Sequence, residues 1–131
     1  MTPQQLRRAC LALTGATEDF PFAPELSVFR IGGKIFALSR LDGEPLEISL
    51  KCAPELAVRL RAAHPAIRPG YHLNKRHWNT VTVDGSVPDT LLLELIEDSY
   101  DLVAESLTRA RRAELGLAAK APAVGDRPSA P

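Results

Sequence analysis

Cysteine is scarce in this chain, and aromatic rings are nearly so. Two cysteines in 131 residues, Cys10 and Cys52, exclude a disulfide-stapled scaffold and a cysteine-rich zinc site. Each falls where the surrounding pattern wants a small apolar residue, so both read as core thiols. No stretch approaches the ~20 apolar residues of a membrane-spanning helix, and the N-terminal stretch has no apolar run of the signal-peptide kind. A reducing cytoplasm is the expected setting. Also missing are a G-x-S-x-G elbow, a P-loop, a histidine zinc motif and a cysteine beside a histidine. The chain therefore reads as non-enzymatic, without a cofactor. Net charge is lacking too, since 16 Lys+Arg balance 16 Asp+Glu and the bulk charge names no polyionic partner.

The distribution of charge says more than its sum. Between Leu56 and Val83 there is no carboxylate, while Arg59, Arg61, Arg68, Lys75 and Arg76 lie there with His64, His72 and His77. Between Asp84 and Glu105 there is no Lys or Arg, and Asp84, Asp89, Glu94, Glu97, Asp98, Asp101 and Glu105 follow in close order. If the fold keeps the blocks apart, the molecule has a basic face and an acidic face, and only the first attracts phosphate.

An apolar content of 45% and a length of 131 residues suit one soluble domain with a single core. Thr2, Pro3 and Gln5 form a helix start with a capping box, and Leu6, Cys10 and Leu13 recur behind it at helical spacing. Residues 17–25, with Pro21 and Pro24 among Phe20 and Phe22, read as a loop that buries aromatic surface. Two strands, 27–31 and 34–41, flank Gly32-Gly33, a pair suited to a tight hairpin. Residues 46–52 alternate apolar with polar, which predicts a third strand with one dry face. A second helix is expected over 54–63, with a loop at 66–70. After Asp84-Gly85, Asp89 should cap a long helix whose inward face is Leu92, Ile96, Tyr100, Val103, Leu107 and Ala110, with Arg109, Arg111 and Arg112 in its last turns. Residues 1–117 form the expected domain and 118–131 an Ala/Pro-rich flexible tail. The sum is an α+β fold: an antiparallel sheet with helices packed on one face.

Residues 71–85 carry the most chemistry. They hold Tyr71, His72, Asn74, Lys75, Arg76, His77, Trp78 and Asn79, then a strand with Val81 and Val83 on one face and Trp78, Thr80 and Thr82 on the other. A metal site on His72 and His77 is disfavoured: along a strand they stand ~16 Å apart, and in a helix ~140° apart. No third ligand lies nearby, so no metal is expected. His77 beside Trp78 could act as a general base, which makes an enzyme the minority reading. Nucleic-acid binding suits the segment better: Arg68, Lys75 and Arg76 for phosphates, asparagines and histidines for hydrogen bonds, Tyr71 or Trp78 for stacking. If all five cations of the block met phosphates, the log–log salt slope would be about −4 to −5. A plainer reading stands beside it, in which the aromatics rim the core, Asn79 satisfies backbone and Lys75-Arg76 is a solvated turn.

The runs Pro69-Gly70-Tyr71-His72-Leu73-Asn74-Lys75 and His77-Trp78-Asn79-Thr80-Val81, with Asp84-Gly85, resemble the signature of the MmcQ/YjbR family. Gly32-Gly33-Lys34 with Phe36-Ala37, Leu50-Lys51-Cys52 and Ser99-Tyr100-Asp101-Leu102-Val103 add to the likeness, which spans roughly residues 3 to 115. The resemblance implies a CyaY/frataxin-like α-β-α sandwich and a DNA-binding role through a double-wing arrangement of hairpins. It points to Tyr71, His72, Asn74, Lys75, His77, Trp78 and Asn79, with Lys34 in the first hairpin. Iron binding is not carried over, because the acidic face lies on the last helix rather than the first. The partner expected is DNA, bound weakly and mainly through its backbone by a monomer, with a small anionic ligand or a protein on the same surface as the alternative.

Overall fold

The computed structural model of the chain describes residues 1–117; the expected tail lies outside the described residues. The elements run α1 (Pro3–Leu11), β1 (Thr17–Asp19), β2 (Ser27–Ile31), β3 (Lys34–Ser39), β4 (Glu47–Lys51), α2 (Pro54–Ala63), β5 (Ile67–Pro69), β6 (Trp78–Thr82), α3 (Asp89–Glu105) and α4 (Arg109–Glu114). All six strands join one antiparallel sheet in the order β1-β2-β3-β4-β6-β5. The fold is α+β, with the helices over one face of the sheet.

Local chemistry accounts for most of this. The Thr2 side chain accepts from Gln5 N–H at 3.1 Å while the Gln5 side chain accepts from Thr2 N–H at 2.8 Å, so α1 begins on a complete capping box. Gly32 and Gly33 take φ of +60° and +83°, the conformation that a two-residue hairpin between β2 and β3 demands. A Cβ on Gly32 would also sit 2.7 Å from a Leu107 methyl, so close packing reinforces the choice. Along β4, Ile48 and Leu50 turn inward and Glu47, Ser49 and Lys51 outward.

Four expectations change. Residues 17–19 and 67–69, read as loop, are short edge strands paired to β2 and β6. Phe20 and Phe22 of the first loop are 48% and 64% exposed rather than buried, because Phe29 and Phe36 already fill the interior. Asp89 is the first residue of α3, not its cap. The long helix ends at Glu105, since Ser106 turns its hydroxyl back to the Val103 carbonyl and Thr108 caps a separate α4. Ala110 is consequently exposed, and Arg109, Arg111 and Arg112 belong to α4.

The sheet and α3 are joined through Ser99 and Tyr100. A bulge between Phe29 and Arg30 of β2 leaves Phe36 as the extra residue of β3. The register of β3 with β4 would set Phe36 opposite Lys51. There the fully buried Ser99 hydroxyl intervenes, accepting from Lys51 N–H at 2.8 Å and donating to the Phe36 carbonyl at 2.6 Å. The Phe36 ring meets Tyr100 edge to face at 5.5 Å, and the Tyr100 hydroxyl donates to the Thr14 carbonyl. One pair of residues thus ties α3 to β3, β4 and the turn after α1.

The outer side of α3 carries the acidic block. Partial burial, then repulsion from Glu94, raises the Asp98 carboxyl above its ordinary value. Asp101 is raised by burial first, then by Glu105, Asp98 and Glu97, with Arg112 opposing. A folded-state value above the unfolded one means that ionisation opposes folding, a penalty that sets in as pH rises past the ordinary 3.8 and is absent below it.

Replacing Ser99 with Ala leaves a strand N–H and a carbonyl without their partner, and should cost roughly 1–3 kcal/mol in urea unfolding. A loss below about 0.5 kcal/mol would show that the two strands can pair directly. Asp98→Asn and Asp101→Asn should each raise stability at about pH 7 and leave it unchanged at about pH 3, where the carboxyls are protonated. Equal stabilities at both pH values would mean that the repulsion is screened away.

Candidate functional site

The face of the sheet away from the helices presents a cross-strand row of Leu38, Ser49, Thr80 and Arg68, set by the β3–β4, β4–β6 and β5–β6 registers. Three loops rise around it: residues 20–26, residues 40–46, and residues 70–77, the last of which joins β5 to β6. The result is a cavity of about 560 Å³. Its walls are largely apolar, from Phe22, Leu26, Leu38 and Leu73, with Tyr71 and His72 at the rim. On its floor the Ser49 and Thr80 hydroxyls share a hydrogen bond of 2.8 Å.

The loop 70–77 has a rigid interior. Gly70 is buried against Trp78, and a Cβ there would fall 2.7 Å from the Trp78 Cβ and 3.1 Å from its carbonyl oxygen, so only glycine lets the chain pass. Asn74 turns the loop, its Oδ1 accepting from Arg76 N–H at 2.9 Å and from His77 N–H at 3.3 Å. Tyr71 N–H donates to Thr80 Oγ1 at 3.0 Å, and Trp78 N–H to the Asn74 carbonyl at 2.9 Å. His72 is the one non-glycine residue with positive φ, +57°, among the described residues, and its ring meets Tyr71 at a tilt of 50° with centroids 4.0 Å apart.

The structure divides the sequence-predicted residues into three groups. Tyr71, His72, Lys75 and Arg76 are exposed on the loop, with Tyr71 65% accessible. Asn74, His77 and Trp78 hold the loop in shape, the last two half-buried, with His77 accepting through its carbonyl from Cys52 N–H at 2.7 Å. Arg68, Lys34 and Asn79 are committed elsewhere. Arg68 pairs with Glu47 and donates to Thr82 Oγ1 at 3.0 Å. The Lys34 ammonium donates to Ser106 Oγ at 3.1 Å, on a strand that β4 separates from β6. Asn79 is buried on the helix side, its Nδ2 at 3.5 Å from the Ala57 carbonyl, and takes no part in the open face of the sheet. That alternation was available in advance: a strand that turns Trp78 and Thr80 outward turns Asn79 inward.

Arg61 enters the site from α2. Its Nη1 donates to the Lys75 carbonyl at 3.0 Å, and the Lys75 ammonium donates to the Gly70 carbonyl at 2.9 Å. Arg61, Lys75 and Arg76 therefore form a cationic corner. Among the described residues no carboxylate forms an ion pair with any of the three. Cys10 lies away from this chemistry, while Cys52 adjoins it through the hydrogen bond from its N–H to the His77 carbonyl. Burial, with Glu18 adding, pushes the Cys10 thiol up to about 12, and burial followed by Asp98 raises Cys52, with Arg61 opposing. Among the described residues no three His, Cys, Asp or Glu side chains are grouped to hold a metal, and no helix is long and apolar enough to cross a membrane.

Comparison with known proteins gives this arrangement relatives. Residues 11–102 match the family model described as YjbR. The uncharacterized protein YbdF of Escherichia coli O157:H7 is 42% identical over 104 residues, covering 79% of this chain and 84% of that one. The uncharacterized protein YjbR of Escherichia coli K12 is 35% identical over 112 residues, 86% of this chain and 95% of that one. Among solved structures, the Deinococcus radiodurans protein DR2400, a DUF419 domain, superposes with a TM-score of 0.84 at 45% identity over 96% of this chain and 95% of that one. A Pseudomonas syringae protein superposes with a TM-score of 0.69 at 33% identity, over 79% of this chain and 99% of its own. With the matched residues running from the end of α1 through the strands and the 70–77 loop into α3, the chain belongs to the YjbR family.

Proposed function

We propose that the chain is a non-catalytic DNA-binding domain that holds the phosphate backbone on the corner formed by Arg61, Lys75 and Arg76. The observation that supports this most is that these three cations, brought together from α2 and the 70–77 loop, have no carboxylate partner among the described residues. Cations gathered without counter-charge repel one another, and a polyanion relieves that repulsion. The carboxylates of α3 lie close enough to raise one another's proton affinity, and among the described residues none forms an ion pair with the corner.

Arg68 and Lys34 are left out of the contact set, the first because Glu47 neutralises it and the second because it lies on β3, which β4 separates from β6. With three phosphate contacts and zero net charge, binding is weak and shallow in its salt dependence, with a log–log slope of about −3 on duplex DNA. A small anionic ligand is the less favoured occupant: the cavity beside the loop is lined by Glu44 and Glu47, its one Arg, Arg40, is paired with Glu25, and it does not enclose His77 or Trp78.

Lys75→Ala combined with Arg76→Ala should weaken binding to duplexes of unrelated sequence by a similar factor and make the salt slope shallower by about two. Fluorescence anisotropy over a salt series measures both. Unchanged affinity and slope in a folded double variant would remove this surface as the DNA contact.

A further inference from the structure

We infer that the cavity on the open sheet face takes one unstacked nucleobase from a single strand whose phosphates lie along Lys75 and Arg76. This deepens the DNA-binding reading and rests on it. The volume of about 560 Å³ lies within the roughly 300–1,000 Å³ of small-ligand sites. Three features of the lining match a flat heteroaromatic ring with a polar edge.

The first is stacking surface. Phe22 and Tyr71 line the cavity from opposite loops and are 64% and 65% exposed, a large apolar cost to leave in water. Tyr71 is already in contact with the His72 ring, tilted 50° to it, and His72 takes a positive φ. The second is a polar floor. Ser49 and Thr80 share one hydroxyl hydrogen between them, and Thr80 Oγ1 also accepts from Tyr71 N–H. Whichever hydroxyl donates in the shared bond, the other keeps a hydrogen with no partner among the described residues, and Ser49 keeps a lone pair. A base edge, which carries donors and acceptors side by side, satisfies both.

The third is charge order. Of the charged residues that line the cavity, Glu47 is paired with Arg68 and Arg40 with Glu25, while Glu44 adds a carboxylate, so the interior offers a phosphate no unpaired Lys or Arg. Lys75 and Arg76 follow Tyr71, His72 and Leu73 on the same loop and lie outside the lining. The uncharged base enters and the charged backbone stays on the corner. An aliphatic peptide side chain would use the walls but neither the hydroxyl floor nor the cations.

Anisotropy with a single strand of about 12 nucleotides, compared with an abasic strand of the same length, tests the assignment. Removing the bases should weaken binding about tenfold. Phe22→Ala with Tyr71→Ala, both exposed and so harmless to folding, should cause a similar loss on the base-bearing strand and none on the abasic one. Lys75→Ala with Arg76→Ala should weaken both. Equal affinity for the two strands, or an aromatic variant that binds like the parent, would overturn the base pocket while leaving backbone binding in place. Displacement of the strand by a free nucleoside monophosphate at concentrations near the strand's own Kd would overturn it in favour of a mononucleotide site. Absence of binding to any strand or duplex would instead remove the DNA-binding reading, and this inference with it.

Discussion

The Ser99 hydroxyl, set between the Phe36 carbonyl and the Lys51 amide, is the contact on which the arrangement of the molecule depends. The β3–β4 pairing stops at Ala37 and Leu50, and a helix residue bridges the next position. In doing so it fixes the depth and direction of α3 against β3 and β4, and Tyr100 next to it anchors the turn after α1. With the helices thus committed to one side, Leu38, Ser49 and Thr80 on the other have only loops around them. The open face follows from how the covered face is fastened.

The loop between β5 and β6 turns that open face into a site. Its backbone is fixed by Gly70 packed on Trp78 and by the Asn74 turn, so its exposed side chains are presented from a stiff frame. Stiffness matters because stacking and phosphate contacts are worth most when little side-chain and loop freedom is lost on binding. The loop also separates two chemistries in sequence, aromatic rings towards the cavity and cations beyond it. Arg61, arriving from α2, joins the second group through the backbone of Lys75.

Much of this was legible in the residues. The strand at 27–31 and the helix at 54–63 stand where hydrophobic periodicity and their glycine and proline boundaries place them. The strands β1 and β5 were not legible, because three residues cannot display a period of two and both lie at sheet edges, where Pro69 is tolerated. The end of α3 was hidden for a different reason: Leu107 keeps the apolar spacing, and only the Ser106 and Thr108 hydroxyls break the helix. For the site, the crowded segment 71–79 was visible as composition, but which side chains are spent inside the fold was not. Arg68 looked as available as Lys75 until β5 placed it beside Glu47. Phe22 reads as buried in the sequence and is exposed in the fold, because an aromatic in a proline-rich loop gives no sign of which way it faces.

The central claim is that one loop, and not the acidic helix, meets the nucleic acid. Backbone amide chemical shifts followed by NMR during titration with single-stranded DNA address it most directly. The account predicts the largest changes at Tyr71, His72, Lys75 and Arg76, with smaller ones at Phe22, Arg61 and Thr80 and none along the outer side of α3. Shifts concentrated at Glu94, Glu97 and Asp101, or spread evenly over the surface, would contradict it.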